Sequence, residues 1–108
     1  MREIEFKVPA KCDLAGAEAL IESVCVAHGL ELGMKTSLAS FPGSIHWHYK
    51  RLREKGTLEF TLLQRERRIW AQVQSGRRAP WIESVLPGIR LDIERGLRRG
   101  RTAGETRG

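Results

Sequence analysis

The chain of 108 residues is long enough to bury one core and too short for two ordinary domains. Its composition, 41% hydrophobic and 30% charged, is typical of a soluble globular protein, and no apolar run approaches the ~20 residues that a membrane span requires. The net charge of +6 can attract polyanions, although the excess of 14 arginines over 5 lysines is also expected from a GC-rich genome.

The two cysteines predict a reducing compartment. Cys12 and Cys25 form neither a disulfide framework nor a CxxC site, and Cys25 falls on the apolar stripe of a predicted helix, where a buried free thiol is the simplest interpretation. The first six residues carry acids and no apolar signal region. We therefore expect a cytoplasmic, bacterial protein rather than a secreted one.

The first elements are a strand and a helix. Polarity alternates over residues 2–8, which predicts a strand that ends at Pro9. Asp13 can cap a helix that extends to about His28, because apolar residues recur there at three- and four-residue spacing. Gly29 supplies the C-terminal stop of that helix. We interpret His28, at the end of the apolar stripe, as a capping or half-buried residue.

A less regular second strand is predicted over residues 30–41. Thr36 and Ser40 interrupt its apolar side, so we expect a bulge or a frayed end. The alternation places Lys35 on the polar side and assigns to the apolar side Leu30, Leu32, Met34 and Leu38. Pro42-Gly43 predicts the turn that follows, since proline fixes φ and glycine accepts a positive φ.

Residues 44–74 predict a three-stranded antiparallel meander at the centre of the sheet, because three successive runs alternate with period two. The charged segments 51–56 and 64–67 are the predicted turns. We call the apolar side of the meander the covered face, and it contains Ile45, Trp47, Tyr49, Leu58, Phe60, Leu62, Ile69, Ala71 and Val73. The polar side, the open face, contains His46, His48, Lys50, Glu59, Thr61, Arg68, Trp70, Gln72 and Gln74.

The last predicted element is a helix that begins at Pro80, where the missing N–H of proline costs nothing. Its apolar residues keep a helical spacing as far as Leu97. Pro87 falls inside this pattern, and a proline there removes a hydrogen bond and clashes with the preceding turn. We therefore expect the helix to be broken or kinked near Pro87.

A single α+β domain over residues 1–99 follows from the element order β-α-β-β-β-β-α. We expect a two-layer sandwich, in which a five-stranded, mainly antiparallel sheet carries two helices. Both helices should pack on the covered face, because only that face is apolar enough to require cover. Residues 100–108 are predicted to form a disordered basic tail.

His46 and His48 form a candidate metal site. Residues i and i+2 of a strand point to the same side, so both imidazoles project from the open face. Neutral imidazoles bind zinc and other transition metals. Glu59 on the neighbouring strand is the carboxylate that could supply a third ligand. The alternative is a pair of ordinary surface histidines, in a protein without a metal or other cofactor.

Trp70 makes the open face a candidate interaction surface, because the alternation points this large apolar ring toward solvent. The ring could bind a protein partner or a second copy of the chain, or pack under a loop. Aromatic rings among cations also favour single-stranded nucleic acid, through base stacking and phosphate contacts. The residues of this predicted interaction face are His46, His48, Trp70, Lys50, Gln72, Lys35 and Arg68.

Two charged loops extend the nucleic-acid hypothesis. The meander should bring segments 50–55 and 75–79 to the same end of the sheet, whereas segment 64–67 should lie at the other end and divide the positive charge. Glu54 compensates part of the charge of the first loop. The basic residues of the two loops, which we call the basic rim, are Lys50, Arg51, Arg53, Lys55, Arg77 and Arg78.

No catalytic motif is present in the sequence. A glycine-rich phosphate loop, a nucleophile elbow and an HExxH helix are all missing. We therefore predict a small non-catalytic interaction module that binds a protein partner or itself through its open face, with no membrane partner. Single-stranded nucleic-acid binding and metal binding are the alternatives.

Overall fold

A computed structural model describes residues 2–107, and it describes side chains for residues 2–99. Within this part, a five-stranded antiparallel sheet and two α-helices form an α+β fold, as predicted. None of the described helices combines the length and the apolar character that crossing a bilayer requires. The predicted tail, residues 100–108, lies outside the described side chains, and its disorder stays a prediction.

The sheet has its predicted meander at the centre. Its strands are β1 (Arg2–Glu5), β2 (Glu31–Leu38), β3 (Phe41–Lys50), β4 (Leu58–Leu63) and β5 (Arg68–Val73). The helices are α1 (Ala17–Ala27) and α2 (Pro80–Arg107). The spatial order is β1-β5-β4-β3-β2, and every neighbouring pair is antiparallel. The strands β1 and β2 are therefore the two edges.

Both helices lie on the covered face, as predicted. Ile21 and Cys25 of α1 and Ile89 and Ile93 of α2 belong to the same buried cluster as the sheet residues. The buried side chains of the covered face include Trp47, Tyr49, Leu58, Phe60, Leu62, Ile69, Ala71 and Val73. Removal of this much apolar surface from water is the main stabilising contribution to the fold.

The ends of several elements differ from their predicted positions. The first strand ends at Glu5, three residues earlier than expected. Asp13 caps a short 3₁₀ turn, in which its carboxylate accepts a hydrogen bond from Ala15 N, before α1 begins. Gly43 does adopt a positive φ of 85°, but inside β3, and the turn lies three residues earlier, at residues 39–40. The prediction of a turn at Pro42-Gly43 is therefore wrong.

An irregularity in β2 reverses the predicted alternation. Leu32 pairs with Tyr49 and Met34 pairs with His48, so one extra residue, Gly33, separates the two pairs. Side chains alternate along a strand, and one inserted residue therefore exchanges the two faces for everything that follows. The register shifts again between Thr36 and Leu38, near the interruption from which the bulge was predicted. The burial expected for Leu32 and Met34 is wrong, since they are 52% and 43% exposed. Only Met34 follows the shift at Gly33, whereas Leu32 is exposed although it pairs with Tyr49 of the covered face.

Lys35 shows the consequence of this reversal. It pairs with Trp47 in the register and lies on the covered face, where its ammonium forms ion pairs with Glu18 and Glu22 of α1. Its Nζ also lies 6.0 Å from the centre of the Trp47 ring. The prediction that Lys35 belongs to the open face is wrong.

The helix α2 is continuous through Pro87. The proline has no N–H to donate to the carbonyl of Glu83, so one hydrogen bond of the helix is missing. Leu86 and Ile89 on either side of it are buried in the core, and this packing offsets the loss. The proline therefore does not divide the helix into two elements.

Candidate metal centre

Strands β3 and β4 bring His46, His48 and Glu59 together on the open face. His48 and Glu59 are direct partners in the antiparallel register, and His46 lies two residues before His48. The Nε2 atoms of His46 and His48 lie 3.2 and 3.6 Å from the same oxygen, Glu59 Oε1. One ligand atom from each of the three residues lies within 4.8 Å of the other two. The sequence-predicted ligands are thus adjacent in space.

The spacing of these atoms suits a small divalent cation. In a tetrahedral site with metal–ligand distances of ~2.0–2.1 Å, neighbouring ligand atoms lie roughly 3.3 Å apart. The two separations from Glu59 Oε1, 3.2 and 3.6 Å, are close to that value. Two imidazole nitrogens and one carboxylate oxygen also form a known donor set of zinc sites that keep a fourth position open.

Thr61 orients the ring of His46. Its Oγ1 lies 2.8 Å from His46 Nδ1. When His46 Nδ1 carries the proton and donates it to Thr61, the Nε2 lone pair faces Glu59, which is the tautomer that a metal ligand needs. In the metal-free state the hydroxyl of Thr61 can instead donate to Nδ1, and Nε2–H can donate to Glu59. The same contact therefore accommodates both states.

A chain of hydrogen bonds holds Glu59 in place. Gln72 Nε2 donates to Glu59 Oε1 at 3.2 Å, and Trp70 Nε1 donates to Gln72 Oε1 at 3.1 Å. Glu59 is buried, so these contacts replace part of the hydration that its carboxylate loses. The carboxylate is therefore held toward the two histidines.

Arg77 lies at the solvent side of the cluster. Its Nη1 is 3.4 Å from His48 Nδ1 and 4.0 Å from Glu59 Oε2. A guanidinium can only donate, so His48 Nδ1 is the acceptor in this contact. The side chains of Arg77 and His48 are 51% and 19% exposed, against 4% for His46 and Glu59. Solvent therefore reaches the cluster past Arg77 and His48.

Burial favours the neutral form of His46. Desolvation lowers the pKa of this imidazole, because a charged ring would be poorly hydrated there. The carboxylate of Glu59 opposes this effect and the ring of His48 adds to it. A neutral imidazole is the form that binds a metal.

Trp70 is not the exposed ring that the alternation predicts. It is 2% exposed, because Phe41 packs edge-on against it with the ring centroids 5.3 Å apart. The guanidinium of Arg68 lies over the same ring, 4.3 Å from its centroid. Arg68 also donates two hydrogen bonds to the carboxylate of Glu5. The prediction that Trp70 offers a solvent-exposed contact to a partner is wrong.

The predicted interaction face is thus divided. Lys35 lies on the other side of the sheet, and Lys50 is exposed at the end of β3. The residues that do share the open face are His46, His48, Arg68, Trp70 and Gln72. These residues contact one another, through the rings of His46 and His48, the hydrogen bond from Trp70 to Gln72, and the guanidinium of Arg68 on the Trp70 ring. Binding of a protein or of nucleic acid through this face stays a prediction.

The basic rim gathers at one end of the sheet, as predicted. Thr57 N donates to the Arg77 carbonyl at 3.0 Å, and Trp81 Nε1 donates to the Lys55 carbonyl at 2.7 Å. All six basic residues of the rim are exposed. With Glu54 included, the two loops have a formal charge of +5. The candidate metal centre therefore borders a concentration of positive charge.

The residue pattern predicted the three candidate ligands but not the side chains that surround them. Thr61 was assigned only to the open face, although its position two residues after Glu59 on one strand was a usable signal. Arg77 was assigned to the basic rim and not to the cluster. Its contact with His48 depends on the path of the loop after β5, for which the residue pattern contains no signal.

Comparisons of the chain with protein-family models, with curated proteins and with solved structures returned no match. Among the described side chains, His46, His48 and Glu59 form the group of three potential metal ligands.

Proposed function

We propose that this protein binds a divalent transition-metal ion, with zinc as the first choice, through His46, His48 and Glu59. The observation that carries the proposal is the convergence of two imidazole nitrogens on one carboxylate oxygen, at 3.2 and 3.6 Å. Imidazole suits zinc, copper and nickel, whereas magnesium and calcium prefer oxygen ligands alone. The donor set therefore favours a transition metal.

Burial supports the same proposal. Buried carboxylates are generally paired with a cation or bound to a metal, because an isolated buried charge is costly. In the described structure, Glu59 is balanced by Arg77 at 4.0 Å, which is a longer separation than a good ion pair has. A cation between Glu59 and the two imidazoles would satisfy the carboxylate more completely. A cytoplasmic location is also proposed, and it fits the two buried cysteine thiols, Cys12 and Cys25.

The competing interpretation is a metal-free polar network. In that case Glu59 serves only as the acceptor for His46, His48 and Gln72 and helps to specify the strand register. Direct measurement of metal binding separates the two interpretations, because a purely structural network has no reason to take up one equivalent of metal.

Calorimetric titration of chelator-treated protein with zinc is the test. We expect one equivalent to bind, and the cobalt-loaded protein to show the visible bands of four-coordinate cobalt. His48→Gln and Glu59→Gln should each weaken binding more than ~100-fold, since even residues that only support a ligand are worth 10–100-fold. Circular dichroism of each variant verifies that it is folded.

The matched control is His28→Gln. It removes the third histidine of the chain, whose Nε2 lies 2.8 Å from Asp92 Oδ2 on the helix side of the sheet. Zinc affinity should be unchanged in this variant. If wild-type protein binds no metal, or if loss of His46 and His48 together has no more effect than loss of His28, the proposal is wrong.

A further inference from the structure

Charge balance determines what else the metal centre must bind. In the metal-free cluster, the guanidinium of Arg77 lies 4.0 Å from the carboxylate of Glu59 and balances its negative charge. A divalent cation would add two positive charges beside side chains that are 4% exposed. Uncompensated charge in such a poorly hydrated position is costly. The open coordination position therefore favours an anion, and a doubly charged one restores neutrality.

Arg77 is placed to hold that anion. A metal ion bound by His48 and Glu59 would repel the guanidinium, whose Nη1 lies 3.4 Å from His48 Nδ1 and 4.0 Å from Glu59 Oε2. Arg77 has room to move outward, because half of its side chain is exposed and it ends a short 3₁₀ turn, Ser75–Arg77. A guanidinium forms two parallel N–H···O bonds with phosphate or carboxylate groups. Displaced from Glu59, it would lie beside the solvent side of the metal.

The surrounding charge favours phosphate over carboxylate. The two loops that form the basic rim have a formal charge of +5, out of +6 for the whole chain. Arg77 lies at the side of the cluster that solvent reaches, and the hydrogen bond from Thr57 N to the Arg77 carbonyl brings the end of the other loop close to it. Such a field concentrates multiply charged anions near the site and accelerates their association.

We infer that the metal-loaded centre binds a phosphoryl group, with one oxygen on the metal and others on the guanidinium of Arg77. This inference rests on the proposed metal site. The phosphoryl group could belong to a small phosphomonoester or to the terminal phosphate of a single-stranded nucleic acid. Of these two, only a nucleic acid is long enough to contact the rest of the basic rim as well as Arg77.

The test uses cobalt-loaded protein, whose metal content is measured first, titrated with inorganic phosphate. We expect a saturable change in the visible cobalt bands. Arg77→Gln should bind phosphate about tenfold more weakly or worse, with the same metal content, because a charge-assisted bond is lost. Arg78→Gln removes the same charge one residue away and should change the affinity by no more than about twofold.

Two further ligands identify the source of the phosphoryl group. Phenyl phosphate represents small esters, and a 5′-phosphorylated oligothymidylate is compared with its unphosphorylated form. If the phosphorylated oligonucleotide binds much more tightly than phenyl phosphate, with an affinity that falls steeply with salt, the ligand is nucleic acid. Equal affinities assign the site to small esters.

The outcomes separate the two proposals. Retained metal with no spectral response to millimolar phosphate overturns the phosphoryl inference and leaves the metal site intact. Equal phosphate affinity in Arg77→Gln and Arg78→Gln also overturns it, because the guanidinium at the cluster would then have no special role. Failure to load cobalt overturns both proposals, and the metal analysis reports it independently of any phosphate measurement.

Discussion

Thr61 Oγ1 lies 2.8 Å from His46 Nδ1, and neither residue is more than 3% exposed. This contact sets the direction in which the ring of His46 presents its Nε2 atom. Thr61→Val keeps the shape of the side chain and removes the hydroxyl, so we expect zinc affinity to fall by ~10–100-fold. Competition with a chromophoric chelator measures the change. Thr57→Val, which replaces a buried threonine outside the cluster, is the control, and equal affinities in the two variants would contradict the orienting role.

Acid should destabilise the metal-free protein through His46. Burial lowers the pKa of this ring, so the unfolded chain binds the proton more tightly than the folded protein does. The stabilising contribution is therefore complete above the ordinary histidine pKa of ~6.5 and is lost as the pH falls toward the folded-state value. We expect the urea midpoint to decrease between about pH 7 and pH 5.

The matched variants for this pH dependence are His46→Asn and His28→Asn. His46→Asn should show a smaller decrease in the urea midpoint than wild type, whatever its absolute stability, because it lacks the imidazole whose pKa is lowered by folding. The second leaves His46 in place and should retain the contribution of that ring. Identical pH dependence in wild type and His46→Asn would show that this ring is not responsible.

Trp47 connects the covered face to α1. Its Nε1 donates to Glu22 Oε2 at 2.9 Å, and the residue itself has no exposed surface. Glu22→Ala removes the acceptor of a buried N–H, which should lower the free energy of unfolding by about 1–3 kcal/mol. Glu18→Ala removes the other carboxylate that pairs with Lys35, and because that ion pair is exposed, its loss should lower the free energy of unfolding much less. Urea unfolding compares the two, and similar losses would argue against this hydrogen bond.

Gly56 allows the two loops of the basic rim to approach each other. Its φ is +105°, and a Cβ there would lie 2.7 Å from the Cβ of Ala79 and 3.1 Å from the Arg77 carbonyl oxygen. Gly56→Ala should therefore destabilise the protein by roughly 1–3 kcal/mol, because backbone strain and steric overlap act together. Gly76→Ala in the neighbouring loop is the control, since the space around its Cβ position is open. Thermal unfolding that is equal for both variants would contradict the close approach.

Local patterns predicted the centre of the sheet correctly. Successive side chains of a strand point to opposite sides, so the alternation of apolar and polar residues over 44–74 was enough to predict β3, β4 and β5. The same alternation predicted which side of these strands is buried. In β2 the same reasoning failed after Leu32. A single additional residue at Gly33 reverses the two faces, and although an isolated glycine in a strand can mark a bulge, the alternation of polarity does not register it.

Only part of the candidate metal centre could be predicted from the residue pattern. Spacing alone placed His46 and His48 on one side of a strand, and it nominated Glu59 because the next strand had to run alongside. The register that sets His48 opposite Glu59 was not contained in that spacing. Neither was the path of the loop that carries Arg77 to within 3.4 Å of His48. Both depend on contacts between residues that are distant in the sequence.

Polarity and periodicity were sufficient to establish the element order, the covered face and the side of the sheet that carries the two histidines, because each is a property of neighbouring residues. Polarity and periodicity did not predict which side chains of the open face are buried. Trp70 is covered by Phe41, which lies 29 positions earlier in the chain, and Glu59 is buried among side chains from three strands and a loop. Alternation specifies the direction of a side chain, whereas its exposure depends on what the folded chain places above it.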